Sequence, residues 1–160
     1  MNKKILSDLG DYLLAHREEI VGEWLRAVEQ DPDISSADYL KDKEAFRDHL
    51  PGLCRNLAEL LKSPQSDQIR AEVSRAARVH GKYRWLQGYR LEEVIREASI
   101  VRNILFDKWL NTFARRVPEF DGETREVAEN IIRRAVDDIF TESTDQFEEE
   151  QQKSRVASRR

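Results

Sequence analysis

The stretch His80–Arg102, HGKYRWLQGYRLEEVIREASIVR, contains the features that indicate the fold. Gly88 and Tyr89 form a predicted tight turn, and apolar residues recur at helical spacing on both sides of it. Each of the two predicted helices also carries polar side chains on its apolar face. Burying a charge without a partner costs considerable free energy, so these groups must meet a partner, water or a ligand. The stretch therefore predicts a helical hairpin with a polar site inside it.

The first helix of this hairpin has three polar residues on its inward face. The apolar residues that define this face recur with a period near 3.6: Ile69, Val73, Ala76 and Ala77. His80, Arg84 and Gln87 continue the same stripe toward the turn. Because His80 and Arg84 are one helical turn apart, their side chains are expected to lie together.

The second helix has an apolar stripe with a charge near its middle. The residues of this stripe are Leu91, Val94, Ile95, Ala98, Val101, Leu105, Trp109 and Phe113. Arg102 lies on the stripe, and Glu97 lies at its edge. Together with the turn, these positions define one candidate polar cluster: His80, Arg84, Gln87, Tyr89, Glu97 and Arg102.

Two interpretations of this cluster remain open. In the first, the side chains form a closed hydrogen-bond network in which Glu97 neutralises an arginine and Tyr89 holds the turn. In the second, two arginines and a histidine line a small pocket for an anionic ligand. Arg84 and Arg102 outnumber Glu97, which slightly favours the ligand. Acids elsewhere in the chain would restore the balance equally well, for example Glu23 and Asp107.

The expected hairpin geometry places the members of the cluster along its axis. Arg84 lies about one turn before Gly88, and Arg102 lies about three turns after it, so the two arginines are ~10 Å apart. His80 is one turn further from Gly88 than Arg84, which makes it the expected neighbour of Arg102. We therefore expect His80, Arg84 and Arg102 to point into the bundle, within reach of one another or of a shared water, anion or acid.

The composition argues against several classes of protein. A chain of 160 residues suits one domain with a substantial core. Its net charge of −4 gives no general attraction to nucleic acid or to acidic membranes. No apolar run approaches the ~20 residues of a membrane span, and residues 1–15 are too charged for a secretory signal. The lone Cys54 suits a reducing compartment, so we expect a cytoplasmic protein without nucleic-acid or membrane partners.

Helical periodicity extends along nearly the whole chain, and no run alternates as a half-buried strand would. The predicted helices are, in order, a short one around Leu9, one from Arg17 to about Glu29, one over Tyr39–Asp48 capped by Ser36 or Asp38, one opening at Pro51, one capped by Asp67, one from Arg90 to about Arg116 and one from near Glu123. The fold class is all-α, a bundle of five to seven helices with a globin-like or four-helix-bundle-like core.

The sequence of the last helix predicts both a dimer interface and a connection from the domain to a following region. Its apolar face ends at Phe147, so residues 1–147 form the expected helical domain and residues 148–160 a charged extension. This extension is either a disordered terminus or a connector helix to an output domain. Apolar residues also occur in adjacent pairs, namely Ile131 and Ile132, Ala135 and Val136, Ile139 and Phe140. Because one bundle would cover one face of them, we expect a parallel homodimer built partly on the helix from Gly122 to Phe147.

Signatures of enzymes and metal sites are missing from the sequence. The three histidines have no paired spacing, a Glu-x-x-His motif is absent, and one cysteine cannot anchor a zinc site. A phosphate-binding glycine loop and a serine nucleophile elbow are absent too. We therefore predict no catalytic residue, metal or cofactor. The alternative function is a haem- or metal-binding helical bundle that uses His80 as its ligand.

Two segments of the chain resemble the N-terminal sensor domains of RsbRD-type co-antagonists. The first contains the residues Leu13, Leu14, His16–Val21, Trp24 and Leu25, and the second contains His80, Arg84, Gly88, Tyr89, Leu91, Glu97 and Arg102. Such domains stand at the front of bacterial stressosome proteins and of some histidine kinases, and the resemblance spans roughly residues 5–147. It implies a non-enzymatic sensory or interaction domain that dimerises and passes a signal through its last helix to an output domain or partner protein. The resemblance does not supply a ligand.

Overall fold

The computed structural model describes residues 2–34 and 50–159 as six helical rods, and no strand occurs in these ranges. The rods are α1 (Lys3–Ala15), α2 (Arg17–Gln30), α3 (Leu50–Lys62), α4 (Asp67–Leu86), α5 (Leu91–Asn103) and α6 (Gly122–Ser158). A π-helical segment, Ile104–Leu110, and an α-helical end, Asn111–Arg116, continue α5 without a break. The predicted all-α helix bundle is confirmed. The helix expected over Tyr39–Asp48, with its cap at Ser36 or Asp38, lies outside the described residues.

Local capping explains where several helices begin. The Asn2 side chain accepts hydrogen bonds from the backbone N–H groups of Lys4 and Ile5 at the start of α1. At the start of α4, Ser66 Oγ accepts from the Ile69 N–H at 3.3 Å. Ser66 is therefore the N-cap of α4, one residue before the predicted Asp67.

The turn between α4 and α5 depends on the glycine that the sequence singled out. Gly88 has a φ of 81°, in the left-handed region that favours glycine. Its N–H donates to the Trp85 carbonyl, and the Tyr89 N–H donates to the Arg84 carbonyl. These two bonds form a Schellman motif, which satisfies the last carbonyls of α4 and reverses the chain.

Helices α4 and α6 approach each other closely at Gly81. Two successive hairpins reverse the chain twice, so α4 and α6 are parallel. A Cβ placed on Gly81 would lie 2.0 Å from the Ser143 carbonyl oxygen, so only glycine permits this approach. One turn further along, Trp85 packs edge-on against Phe147 with ring centroids 5.4 Å apart.

The apolar pairs of α6 are covered within one chain. Ala135, Val136, Ile139 and Phe140 are all buried, because α6 packs against α3, α4 and α5 together. The sequence argument that one face of this helix needs a second copy therefore fails for these residues. Beyond Phe147 the helix continues unbroken to Ser158, so the described part of the charged extension is a helix rather than a disordered end.

None of the helices in residues 2–34 and 50–159 is both long enough and apolar enough to cross a membrane.

Candidate functional site

Five of the six predicted site residues form one cluster around the Glu97 carboxylate, and all of them except the half-buried Gln87 are buried. Its Oε1 lies 2.8 Å from His80 Nε2 and 3.0 Å from Arg84 Nε. Its Oε2 accepts from Arg84 Nε at 3.1 Å and from the Tyr89 hydroxyl at 3.3 Å. Arg84 Nη1 donates to Gln87 Oε1 at 2.6 Å. We call these five residues the Glu97 cluster.

Each member of the Glu97 cluster is positioned by its own helix or turn. His80 and Arg84 occupy successive turns of α4, as their spacing predicted, and both are fully buried. The Gly88 turn brings the Tyr89 ring to 5.1 Å from the Arg84 guanidinium carbon. Glu97, on the second turn of α5, faces them and is also fully buried. The sequence had placed Glu97 only at the edge of its helix face.

The charges of the Glu97 cluster balance at neutral pH. Burial alone would raise the pKa of the Glu97 carboxyl, but the Arg84 guanidinium and His80, with their hydrogen bonds, lower that pKa to about 2. Burial and the Arg84 charge lower the pKa of His80 below its usual 6.5. His80 is therefore neutral and donates its Nε2 proton to the ionised Glu97. Because Glu97 compensates Arg84, this arrangement favours the closed-network interpretation over a pocket for an anion.

Arg102 lies apart from the Glu97 cluster, which corrects its predicted placement beside His80. Its Nη2 donates to Asp137 Oδ1 at 2.9 Å, in a pair that is 39% and 55% exposed. The acid that compensates it is on α6 and was not among those considered. Helix α5 is rotated so that Glu97 faces the core, while Ile95, expected inside, is 55% exposed. The acids named in the sequence prediction do not pair with Arg102: Glu23 forms its ion pair with Lys108, and within the described residues no ion pair joins Asp107 to Arg102.

Two fully buried polar residues next to the Glu97 cluster were not predicted from the sequence. Glu93 accepts the Arg90 backbone N–H at 2.8 Å, which caps the start of α5. Ser143 Oγ lies 2.8 Å from the Ala77 carbonyl oxygen and 2.7 Å from that of Ile139, and donates to one of them. A glutamate three residues after a cap, and a serine inside an apolar stripe, were the signals that could have revealed both residues.

The haem or metal alternative gains no support from the surroundings of His80. Its ring lies between Trp24 and Phe140, with centroids 6.1 Å and 5.6 Å away, and it is fully buried. Its Nε2, one of the two ring nitrogens that can bind a metal, is hydrogen-bonded to Glu97. The described ranges also contain no group of three or more side chains that could hold a metal ion.

Comparisons with known proteins give one match. The family model for the RsbT co-antagonist protein rsbRD N-terminal domain matches residues 18–160. No curated protein and no solved structure matches the chain. The matched range leaves out all of α1 and includes the whole Glu97 cluster and the helical extension after Phe147.

Proposed function

Because the chain belongs to the RsbT co-antagonist protein RsbRD N-terminal domain family, a family of stressosome-related signalling domains, we propose that it is a non-enzymatic sensory domain. In this proposal it works in the cytoplasm as a parallel homodimer and passes its signal along α6. The receiver is an output domain or a partner protein at the end of that helix. The likeness to the family supports the sensory role, and the path of α6 supports the relay.

The observation that carries the proposal is the single helix that joins the core to the exposed extension. Helix α6 contains 37 residues, which corresponds to a length of about 55 Å. Inside the bundle, its Phe140 contacts the His80 ring of the Glu97 cluster, and its Ser143 lies against Gly81. Residues 152–158 are exposed. A displacement of α4 at these contacts would therefore move α6, and a rigid helix would carry that movement to the extension.

An open groove between α5 and α6 is the surface on which we place the second copy. It has a volume of about 440 Å³, and Ile95, Arg102, Asp137, Thr141 and Thr144 are among its lining residues. The α6 residues of this face recur at helical spacing and continue into the extension as Glu148, Gln151 and Arg155. A second copy on this face would cover the exposed Ile95 and bring the two extensions together.

Light scattering on the full chain tests the dimer and its location. We expect the wild-type protein to have twice the mass of one chain at micromolar concentration. Ile95→Glu places a charge in the groove and should produce a monomer. Val79→Glu is the matched control, because Val79 is an exposed apolar residue on α4, outside the groove. A monomeric wild-type protein would refute the dimer, and a dimeric Ile95→Glu variant would refute this interface.

Distances between spin labels on the two extensions test the relay. A label at Ser154→Cys is exposed, whereas the native Cys54 is buried and its thiol pKa is raised to about 12, so Cys54 stays unlabelled. Gly81→Ala should change the distance between the labels, because the new Cβ forces α4 and α6 apart. Gly52→Ala is the control, since a Cβ there meets no atom within 4 Å. Identical distances in both variants would refute the relay.

A further inference from the structure

A groove on the surface of the bundle lies between α4 and α6, the two helices of the proposed relay. Its volume is about 360 Å³, and a smaller groove of about 200 Å³ continues from it, since both are lined by Leu60, Arg70, Ala135 and Asp138. Pockets that bind small molecules have volumes of about 300–1,000 Å³. The larger groove is therefore of a size that admits a small ligand.

The floor of the larger groove is apolar. Leu60 and Ala135 are buried beneath it, and Val127 and Ile131 are half-buried along its α6 side. An apolar group placed over these side chains would remove more of their surface from water, which is favourable. The floor therefore favours a ligand with an apolar body.

Two arginines from opposite helices line this groove. Arg70 is on α4 and Arg134 is on α6, and both are exposed. Arg70 Nη2 donates to the Pro64 carbonyl at 2.9 Å, which holds the guanidinium group at the groove while its other N–H groups remain as donors. In the part of the chain that the structure describes, no acid pairs with either arginine. The groove thus presents two positive charges without a counter-ion.

One acid, Asp138, also lines the groove but does not compensate both arginines. It lies four residues after Arg134 on the same helix, and an acid on the C-terminal side of a base is the less favourable order for such a pair. The two arginines and this one aspartate leave the described lining with a net charge of +1. The Glu97 cluster differs in this respect, because its own charges balance. A ligand with a single negative charge would therefore complete the groove.

We propose that this groove is a binding site for a small monocarboxylate with an aliphatic body. The carboxylate would accept N–H groups from Arg70 and Arg134, because a planar carboxylate matches the geometry of a guanidinium group. Its aliphatic body would cover the apolar floor. Such a ligand would join α4 to α6 at a place where the two helices do not otherwise pair.

The position of the groove gives the bound carboxylate an effect on the relay. Helices α4 and α6 are in close contact at Gly81, about three turns along α4 from Arg70. A ligand that draws the two arginines together on one side of this contact would shift α6 on the other side, where the extension begins. The binding stands on the groove alone, whereas this effect on α6 rests on the function proposed above.

Calorimetric titration of the full chain with hexanoate tests the binding. Hexanol provides the aliphatic body without the charge, and acetate provides the charge without the body. We expect saturable binding of hexanoate, and each of the other two compounds should bind at least tenfold more weakly. The absence of hexanoate binding at millimolar concentration, or an affinity no higher than that for hexanol or acetate, would overturn the proposal.

Substitution of the arginines tests the location of the site. Arg134→Gln and Arg70→Gln each remove one of the two charges and should weaken hexanoate binding at least tenfold. Arg75→Gln is the matched control, because Arg75 is an exposed arginine on α4 that does not line the groove. All three residues are exposed, so the variants should fold, and thermal melts check this. Unchanged binding in both groove variants, or an equal loss in the control, would overturn the site.

The spin labels at Ser154→Cys distinguish failure of the site from failure of the relay. Hexanoate binding with a change in the distance between the labels supports both. Binding without such a change retains the site and refutes its connection to α6. Calorimetry does not depend on the dimer, so a monomeric protein would refute the proposed function and leave the binding result intact.

Discussion

Two ion pairs of nearly equal length, one in the core and one on the surface, place two charged residues of α5, Glu97 and Arg102, in opposite surroundings. Arg84 Nε lies 3.0 Å from Glu97, and Arg102 Nη2 lies 2.9 Å from Asp137. Both residues of the first pair are fully buried, whereas those of the second are 39% and 55% exposed. Water screens the exposed pair, so its net contribution to stability is small. In the buried pair, each charge depends on the other to offset the cost of leaving water. How strongly the fold depends on an ion pair is therefore decided by the burial of its charges and not by the distance between them.

The largest expected difference between the two pairs comes from removing one charge from the core. Glu97→Gln keeps the shape of the side chain but leaves the Arg84 charge buried without its counter-ion. We expect the free energy of unfolding to fall by about 3–5 kcal/mol, measured by urea denaturation. Glu92→Gln is the control, because Glu92 is an exposed acid on the same helix, and it should change the value by less than about 1 kcal/mol.

A double variant tests whether the loss comes from the stranded charge. When Arg84→Met and Glu97→Met are combined, no charge remains stranded, so the loss should be much smaller than the sum of the two single losses. Additive losses would show that the two side chains act independently, contrary to the closed network.

Acid should also destabilise the core pair more than the surface pair. The folded-state pKa of His80 is lowered below 6.5, and that of Glu97 is lowered from 4.5 to about 2. In both cases the unfolded chain binds the proton more readily, so stability must fall as the pH falls. The loss should begin near pH 6.5 through His80 and continue from pH 4.5 towards pH 2 through Glu97, to a total of a few kcal/mol.

Chemical denaturation between pH 7 and pH 3 measures this dependence. His80→Gln should remove the part of the loss that begins near pH 6.5 and should reduce, without abolishing, the part below pH 4.5, because Arg84 still lowers the pKa of Glu97. A wild-type curve that is flat between pH 6.5 and pH 4.5 would contradict the buried, neutral His80.

The smallest effect is expected at the surface pair. Asp137→Asn removes the charge that faces Arg102, and the free energy of unfolding should change by less than about 1 kcal/mol at moderate salt. Thermal melts of the variant and the wild type measure this change. A loss of several kcal/mol would place Arg102 in the buried network after all and would remove the contrast between the two pairs.

The contrast also shows why the sequence left the arginine partner of Glu97 open and placed Arg102 in the core. On α5 the two apolar residues Ile95 and Ile100 are about 140° apart around the helix axis, as are Glu97 and Arg102. Because the apolar residues cover so wide an arc, the helix could turn either side of this arc toward the core. The predicted rotation has Ile95 and Arg102 facing the core, whereas in the folded chain Ile100 and Glu97 face it.

A similar limit applies to α6. Its adjacent apolar pairs indicated two buried faces, which is correct, but the partners that cover Ala135, Val136, Ile139 and Phe140 are helices of the same chain. A pattern of hydrophobicity shows that a side chain is buried, but it does not show whether a helix of the same chain or a second copy covers it.

By itself, the sequence determined the helices, their approximate ends, the Gly88 turn and the shared stripe of His80 and Arg84. These features depend on interactions between residues a few positions apart, namely caps, breakers and helical spacing. Only the tertiary structure decided that Glu97 faces Arg84, that Arg102 faces Asp137 and that Gly81 lies against Ser143. Those pairings depend on the rotation and depth of each helix against its neighbours, and these are set by the packing of all the helices together.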